Sequence, residues 1–421
     1  MASSLYLFFS SLVLFFFLSH SELGDPNPTN LVYTVIKDVE TLQYYTEIQL
    51  GSNVSSYYRQ VVIDLGGQLL WFNCHDFDST SYRPIRCGSA KCKAAKGSQC
   101  TTATTTQKKM CGVLARNSVK NLVAAEVLLE DVSIVGFVDR SSHLYVYNVS
   151  HVAFSCANSS FLLKGLAKAT KGMVGLGRTQ TALPIQIASA FKLPNKFAFC
   201  LPSSTGLYAN IYVGGAPYYL NPSTLNFTKS LTTTPLIVNA AQPDEYFINV
   251  KSISVDGTKL FSFNTSLLSI DRNGVGGTKL STITPYTILQ TCIYKCLVSE
   301  FVKKALSRKI KMVASVAPFG ACFSSKTMAS TITGAAVPSI DLVVRKGVYW
   351  RIYGANSMVR VNKDVSCLGF VDGGPHPITS VVLGGYQMED HFLEFDLTSS
   401  KLAFSSSLLL YNSTCSLSRT S

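Results

Sequence analysis

One stretch constrains this chain more than any other: Val61-Val62-Ile63-Asp64-Leu65-Gly66-Gly67. Three β-branched residues favour an extended strand, and the two glycines let the backbone turn sharply after it. The outcome is a hydrophobic strand that delivers one carboxylate, Asp64, to a tight loop. Farther on, Gly172-Met173-Val174-Gly175-Leu176-Gly177 supplies a hydrophobic–hydrophobic–glycine segment able to pack beneath that loop. The second half repeats the pair. A turn-forming loop runs over residues 276–289, and Val381-Val382-Leu383-Gly384-Gly385 follows it. An internal echo of this kind predicts two related lobes.

The length of 421 residues suits two domains or one bilobal domain. Apolar residues make up 47% and charged residues 14%, which provides for a large core and argues against disorder. Lys and Arg outnumber Asp and Glu by 37 to 24, giving a net charge of +13 and a surface that attracts polyanions. Basic residues gather only in small groups, such as Lys303, Lys304, Arg308, Lys309 and Lys311. No nucleic-acid-binding motif accompanies them, so nucleic acid is not expected as a partner.

Residues 5–18 form an apolar run rich in Leu and Phe, too short to span a membrane and placed as a signal-peptide core. All twelve cysteines lie downstream of it, and an even count in a secreted chain reads as a disulfide framework. Six Asn-x-Ser/Thr sites, at Asn53, Asn148, Asn158, Asn226, Asn264 and Asn412, agree with secretion. No later stretch reaches transmembrane length, so no membrane contact is expected after signal cleavage.

Most of the chain alternates in short β-branched or apolar runs broken by Gly, Pro, Asn and Ser. All-β is therefore the predicted class, with helices expected only over residues 183–193 and 288–306. The expected organisation is a signal peptide (1–21), a connector with the first strand (22–43), an N-terminal lobe (44–235) and a C-terminal lobe (236–415). The boundary falls in the Ser/Thr/Asn-rich stretch 222–241.

The Asp64-Leu65-Gly66-Gly67 loop resembles the Asp-Thr-Gly loop of pepsin-type aspartic proteases, with Leu65 in place of the threonine. The segments Phe197-Ala198-Phe199-Cys200-Leu201, Glu245-Tyr246-Phe247-Ile248-Asn249-Val250 and Phe392-Leu393-Glu394-Phe395-Asp396 follow the same pattern in plant pepsin-like proteins. The resemblance implies a bilobal pepsin-like fold with a few short helices. Proteolysis in that fold needs two facing carboxylates that share one proton. Where active relatives carry the second aspartate, this chain reads Gly276-Gly277-Thr278-Lys279-Leu280-Ser281-Thr282-Ile283, with Ser281 in the aspartate position. A serine hydroxyl cannot share the dyad proton, and no activating base for a serine nucleophile is recognisable. Asp271 precedes a turn and reads as a solvated loop acid. The flap hairpin of residues 111–123 lacks the tyrosine that closes over substrate. Asp64 is thus expected to be a structural acceptor, bonded to loop N–H groups and to Ser281.

Ser315-Val316-Ala317-Pro318-Phe319-Gly320-Ala321-Cys322 and Leu383-Gly384-Gly385-Tyr386-Gln387-Met388-Glu389-Asp390 narrow the resemblance. They are similar to extracellular dermal glycoprotein, the basic 7S globulins with gamma-conglutin, and the cereal xylanase inhibitors. Trp350-Arg351-Ile352 and Gly354-Ala355-Asn356-Ser357-Met358-Val359 bring the chain nearest to the dermal glycoprotein type. The kinship implies a secreted protein without proteolytic activity, cofactor or metal. Its implied partner is a secreted glycoside hydrolase, or alternatively peptides bound by a seed globulin. Acidic cell-wall polysaccharide is a further partner that the basic charge allows. In the dermal glycoprotein type, endoglucanase inhibition is attributed to two arginines. Both positions are isoleucine here, Ile332 and Ile378, with His376 as a neighbour that could take over the contact. The resemblance also pairs Cys322 with Cys367 and Cys200 with Cys415, and closes Cys74, Cys87, Cys92, Cys100, Cys111 and Cys156 among themselves. Cys292 and Cys296 are additional and leave three readings open: intermolecular pairing, a local bridge, or buried thiols.

Overall fold

The computed structural model describes residues 28–51, 58–97, 99–102, 109–138, 143–216, 218 and 231–416. The predicted signal peptide and the sequons at Asn53 and Asn226 lie outside the described residues. The all-β expectation holds: thirty strands are described, against five α-helices, most of them a single turn or two.

Six antiparallel strands within a larger 20-stranded sheet join the two halves. Their order is Asn30–Lys37, Tyr208–Gly214, Lys196–Cys200, Phe392–Asp396, Lys401–Phe404 and Thr232–Asn239. The central pair comes from opposite halves, with Phe197 opposite Phe395 and Lys196 opposite Asp396. Their rings stack at 4.7 Å and Tyr246 meets Phe395 edge-on at 4.8 Å. All three side chains are buried, and each aromatic pair adds about 0.5–1.5 kcal/mol beyond burial alone. On either side of this sheet each half builds its own lobe. The first wraps the long hairpin Leu122–Val138 and Leu144–Cys156; the second adds the sheets built on Ile340–Arg345 and on Cys322–Ser324.

A buried ion pair fastens the first strand to the second half. Lys37 Nζ lies 2.6 Å from Glu389 Oε1, and Tyr44 Oη donates to the same oxygen at 2.6 Å. Both charged side chains are almost wholly buried. Burial pushes the Glu389 carboxyl up to about 7 in spite of the lysine.

The two expected helices are present but shorter at one end. Leu183–Ala190 starts on Pro184, whose fixed φ suits the first turn, and stops before Lys192 at φ +54°. Thr291–Ser307 is capped by the Gln290 side chain, which accepts from Cys292 N at 2.7 Å. Its Ile293, Leu297, Phe301 and Ala305 recur every four residues and are all buried, the stripe that docks it. It begins later than predicted because Thr287–Leu289 is held in a parallel ladder with Phe370–Asp372.

Five disulfides are present: Cys74–Cys156, Cys87–Cys100, Cys92–Cys111, Cys200–Cys415 and Cys322–Cys367. Such a framework belongs to an oxidising compartment. Cys292 and Cys296 are free thiols, one exposed and the other half-buried, which removes the reading of a buried pair and that of a local bridge.

Candidate functional site: the Asp64 cleft

Asp64 ends the strand Tyr58–Asp64, which runs parallel to Gly172–Gly175 with Val62 opposite Met173, Ile63 opposite Val174 and Asp64 opposite Gly175. In the second half Lys279 lies opposite Val382 and Leu280 opposite Leu383, and Ser281 N donates to Leu383 O at 3.0 Å. Counted along the two ladders, Ser281 occupies in its lobe the place Asp64 occupies in the other. The close approach explains the glycine: a Cβ on Gly175 would stand 2.3 Å from the carbonyl oxygen of Gly67.

Thr282 ties the two loops together. Its Oγ1 donates to Ile63 O at 2.7 Å and accepts from Leu65 N at 3.0 Å. The counterpart of Thr282 in the first loop is Leu65, buried and without a hydroxyl, so the link runs one way only.

The expectation that Asp64 bonds Ser281 is corrected. Asp64 Oδ1 accepts from Gly66 N at 3.1 Å, and Oδ2 accepts from Ser118 Oγ at 2.5 Å. Ser281 Oγ instead lies 3.0 Å from Thr284 Oγ1. Ser118 sits at the tip of the flap hairpin, between Lys109–Asn117 and Leu122–Val138. Asn117 sets that tip: its Nδ2 donates to the carbonyls of Leu162 and Lys164, and its Oδ1 accepts from Val119 N and Lys120 N. The flap sequence draws the eye to a missing tyrosine and not to this serine, although Asn117 directly before it signals an Asx turn.

Burial, aided by the nearby charge of Glu245, pushes the Asp64 carboxyl up to about 6 against the opposing pull of its hydrogen bonds. Glu245 presses on the loop so closely that a Cβ on Gly66 would fall 2.1 Å from its Oε2. Its other oxygen pairs with Lys279 Nζ at 3.1 Å. One residue earlier, Asp244 takes Lys96 Nζ at 2.9 Å and Gln68 Nε2 at 2.6 Å. Neither pair was visible in the sequence, where the partners are far apart.

These residues enclose a cleft of about 530 Å³, walled by Leu114, Arg116 and Ser118 of the flap on one side and by residues 241–245 with Ile378 on the other. The Lys96–Asp244 pair crosses between the lobes at this end, and Tyr246 Oη donates to Leu176 O at 2.9 Å behind it. A charged bridge and a latched flap thus close over Asp64.

The rim residues separate. Ile378 is 66% exposed and shares the cleft with Asp64. Ile332 is 63% exposed at the tip of the small hairpin Ser330–Thr331/Gly334–Ala335, and His376 is exposed outside the cleft lining. Asn148, Asn158, Asn264 and Asn412 are all exposed. Among the described residues, no group of three or more His, Cys, Asp or Glu is arranged to hold a metal ion.

Residues 44–215 match the family model for the N-terminal part of xylanase inhibitors, and residues 245–406 match that for the C-terminal part. A probable aspartic proteinase GIP2 of Nicotiana benthamiana is 44% identical, covering 92% of this chain and 91% of its own. Gamma conglutin 1 of Prunus dulcis is 38% identical over 97% and 95%. Among solved structures, edgp superimposes with a TM-score of 0.87 at 43% identity, covering 92% of this chain and 97% of that one. Basic 7S globulin from soybean gives a TM-score of 0.79 at 30% identity, over 92% and 98%. Matched through both lobes and by relatives along nearly its whole length, the chain belongs to the xylanase-inhibitor-type family with the pepsin-like fold.

Proposed function

We propose that the chain is a secreted, proteolytically inactive protein that binds and inhibits microbial cell-wall-degrading glycoside hydrolases in plant defence, acting in the apoplast. The observation that carries this reading is that Ser281 stands in its lobe at the position Asp64 holds in the other. Water attack on a peptide needs a base for the water and a proton donor for the carbonyl oxygen, and a hydroxyl beside a carboxylate supplies no second acid. Glu245 does not fill the gap, because it is held by Lys279 Nζ. Latched by Ser118, Asp64 serves as an anchor for the flap.

Recognition then falls to the rim. Ile332 and Ile378 present apolar side chains where the dermal glycoprotein type is expected to present arginines. A guanidinium pairs with a catalytic carboxylate by two charge-assisted bonds, and isoleucine cannot. The contact with an enzyme cleft is therefore apolar at these two points, with His376 as the neighbouring polar group. Acidic polysaccharide is a second partner class, favoured by the +13 charge. Inhibition assays of the purified protein against family 11 and family 12 glycosidases test the reading; no inhibition across the panel defeats it.

A second reading is supported by the relatives named gamma conglutin and basic 7S globulin: a seed protein with a storage or peptide-binding role. Seed-restricted accumulation favours it, and pathogen-induced expression favours the inhibitor. The relative named as a probable aspartic proteinase keeps residual proteolysis open to test. Cleavage of denatured haemoglobin at acid pH, abolished by pepstatin and by Asp64→Ala, would establish it.

A further inference from the structure

The strand Leu144–Cys156 is covered along only part of its length. At its far end Leu70–Phe72 pairs with it in parallel, Phe72 opposite Cys156. Just before that, Gln186 of the helix Leu183–Ala190 bonds both the N–H and the carbonyl of Ala153, and Lys91 Nζ donates to His151 O at 2.7 Å. Ahead of His151 its one strand neighbour among the described residues is Leu122–Val138. Residues 144–149 thus form an edge of the sheet.

The outer face of that edge is apolar. Side chains alternate along a strand. Val149 turns inward and is buried, and Tyr147 meets the Phe191 ring edge-on at 5.7 Å. Leu144 and Val146 turn outward and are 67% and 59% exposed. Across the ladder Val138 stands opposite Leu144, and Gly136, with no side chain to shield it, stands opposite Val146. The run Leu144-Tyr145-Val146-Tyr147-Asn148-Val149 contains no charged residue, proline or glycine. High β-propensity without charge or proline, on an open edge, is the condition under which strands of separate molecules pair.

What the edge does carry is Asn148. It is exposed on the face of Leu144 and Val146, opposite Ile134, and begins the sequon Asn148-Val149-Ser150. Of the four described sequons it is the one inside a strand. At about 3.4 Å per residue, Val146 lies about 7 Å from it and Leu144 about 14 Å. We propose that an N-linked oligosaccharide on Asn148 covers the Leu144–Val146 face and keeps this edge from pairing with a second copy of the chain. The sugar is bulky and solubilising, and it does by volume what a charged gatekeeper residue does by repulsion. The inference rests on the secretory part of the proposed function, the route on which such sugars are added; it is independent of glycosidase inhibition.

The test uses the full chain secreted from a eukaryotic host under its own residues 1–21. Peptide mapping should find the sugar on Asn148. Ser150→Ala removes the sequon but keeps Asn148, and should self-associate at least tenfold more tightly than wild type in sedimentation, with hydrogen exchange slowed at residues 144–149. Ser160→Ala, the matched change at the Asn158 sequon, should sediment as wild type does. Adding Val146→Lys to Ser150→Ala puts a charge on the bare face and should restore wild-type behaviour. Trimming the glycans of the folded wild type to a single sugar should reproduce the association without any demand on folding. Secreted protein with no sugar on Asn148 overturns the inference and leaves the secretory reading standing. A chain that residues 1–21 fail to deliver to the medium overturns both. Ser150→Ala and trimmed protein that sediment like wild type overturn the inference, as does association that Val146→Lys fails to relieve. Equal association in Ser160→Ala overturns it in favour of a general loss of solubility.

Discussion

Replacing Glu389 by glutamine should make the protein more stable at neutral pH, although it removes one charge of a buried ion pair. The carboxyl is raised from 4.5 to about 7 in the folded protein, chiefly by burial, with Lys37 and Tyr44 opposing and Asp390 reinforcing the rise. A folded state that holds its proton more tightly than the unfolded chain loses stability as pH climbs between those two values. At about 1.4 kcal/mol per pH unit, the loss over this window is about 3 kcal/mol. His391, two residues on, acts in the opposite sense. Burial lowers its imidazole from 6.5 to about 4, so it contributes stability above 6.5 that disappears as pH falls through 4. In the wild type the two nearly cancel across the same window. Glu389→Gln keeps an oxygen for Lys37 and Tyr44 but cannot ionise, and so exposes the His391 slope. The assay is urea unfolding at intervals from pH 4.5 to 8 with disulfides intact. The variant should gain about 3 kcal/mol relative to wild type over that range. A constant difference, or a variant that falls behind as pH rises, refutes the reasoning.

Ser118→Ala should release the flap: losing a hydrogen bond to a carboxylate costs about 1.5–3 kcal/mol, and hydrogen exchange at the hairpin tip around residues 117–121 should quicken while the core strands stay protected. Gly175→Ala places a methyl 2.3 Å from a backbone carbonyl that cannot retreat, so loss of secreted folded protein is expected on expression. Replacing both Cys322 and Cys367 by alanine opens a closure of 45 residues and should cost about 4 kcal/mol, read as a fall in the urea midpoint. Ile378→Arg, which adds a guanidinium at an exposed rim position beside the cleft, should change inhibition of family 12 glycosidases at least tenfold while leaving the melting temperature unchanged; identical inhibition would remove residue 378 from the contact.

The fold was legible because its signals are local and repeated. A β-branched run ending in an acid and two glycines, echoed downstream, reports a loop geometry that few other arrangements need. The relation of Asp64 to Ser281 was legible for the same reason, since each is anchored by its own glycine segment. What the sequence concealed are contacts made by folding over long distances. Ser118 reaches Asp64 across 54 residues and Lys96 reaches Asp244 across 148. No periodicity encodes such a pairing, and a lysine or serine in a turn looks like solvated surface until the hairpin is placed. The late start of the helix Thr291–Ser307 has a similar cause, because a parallel ladder overrides local propensity at Thr287–Leu289.

The sheet shared by the two halves has a consequence for how the protein can be taken apart. Its strands interleave the chain, with the segment Lys196–Cys200 flanked by one strand from each half, and Cys200 is bonded to Cys415 almost at the far end. A protease that cuts once anywhere between those cysteines therefore produces two polypeptides that remain one particle, covalently joined and sharing a sheet. Such a nick is invisible to gel filtration and to an unreduced gel, and appears only when thiol is added. Neither half carries a complete sheet of its own, so the pieces expressed separately should be insoluble, whereas the nicked protein should melt as a single unit.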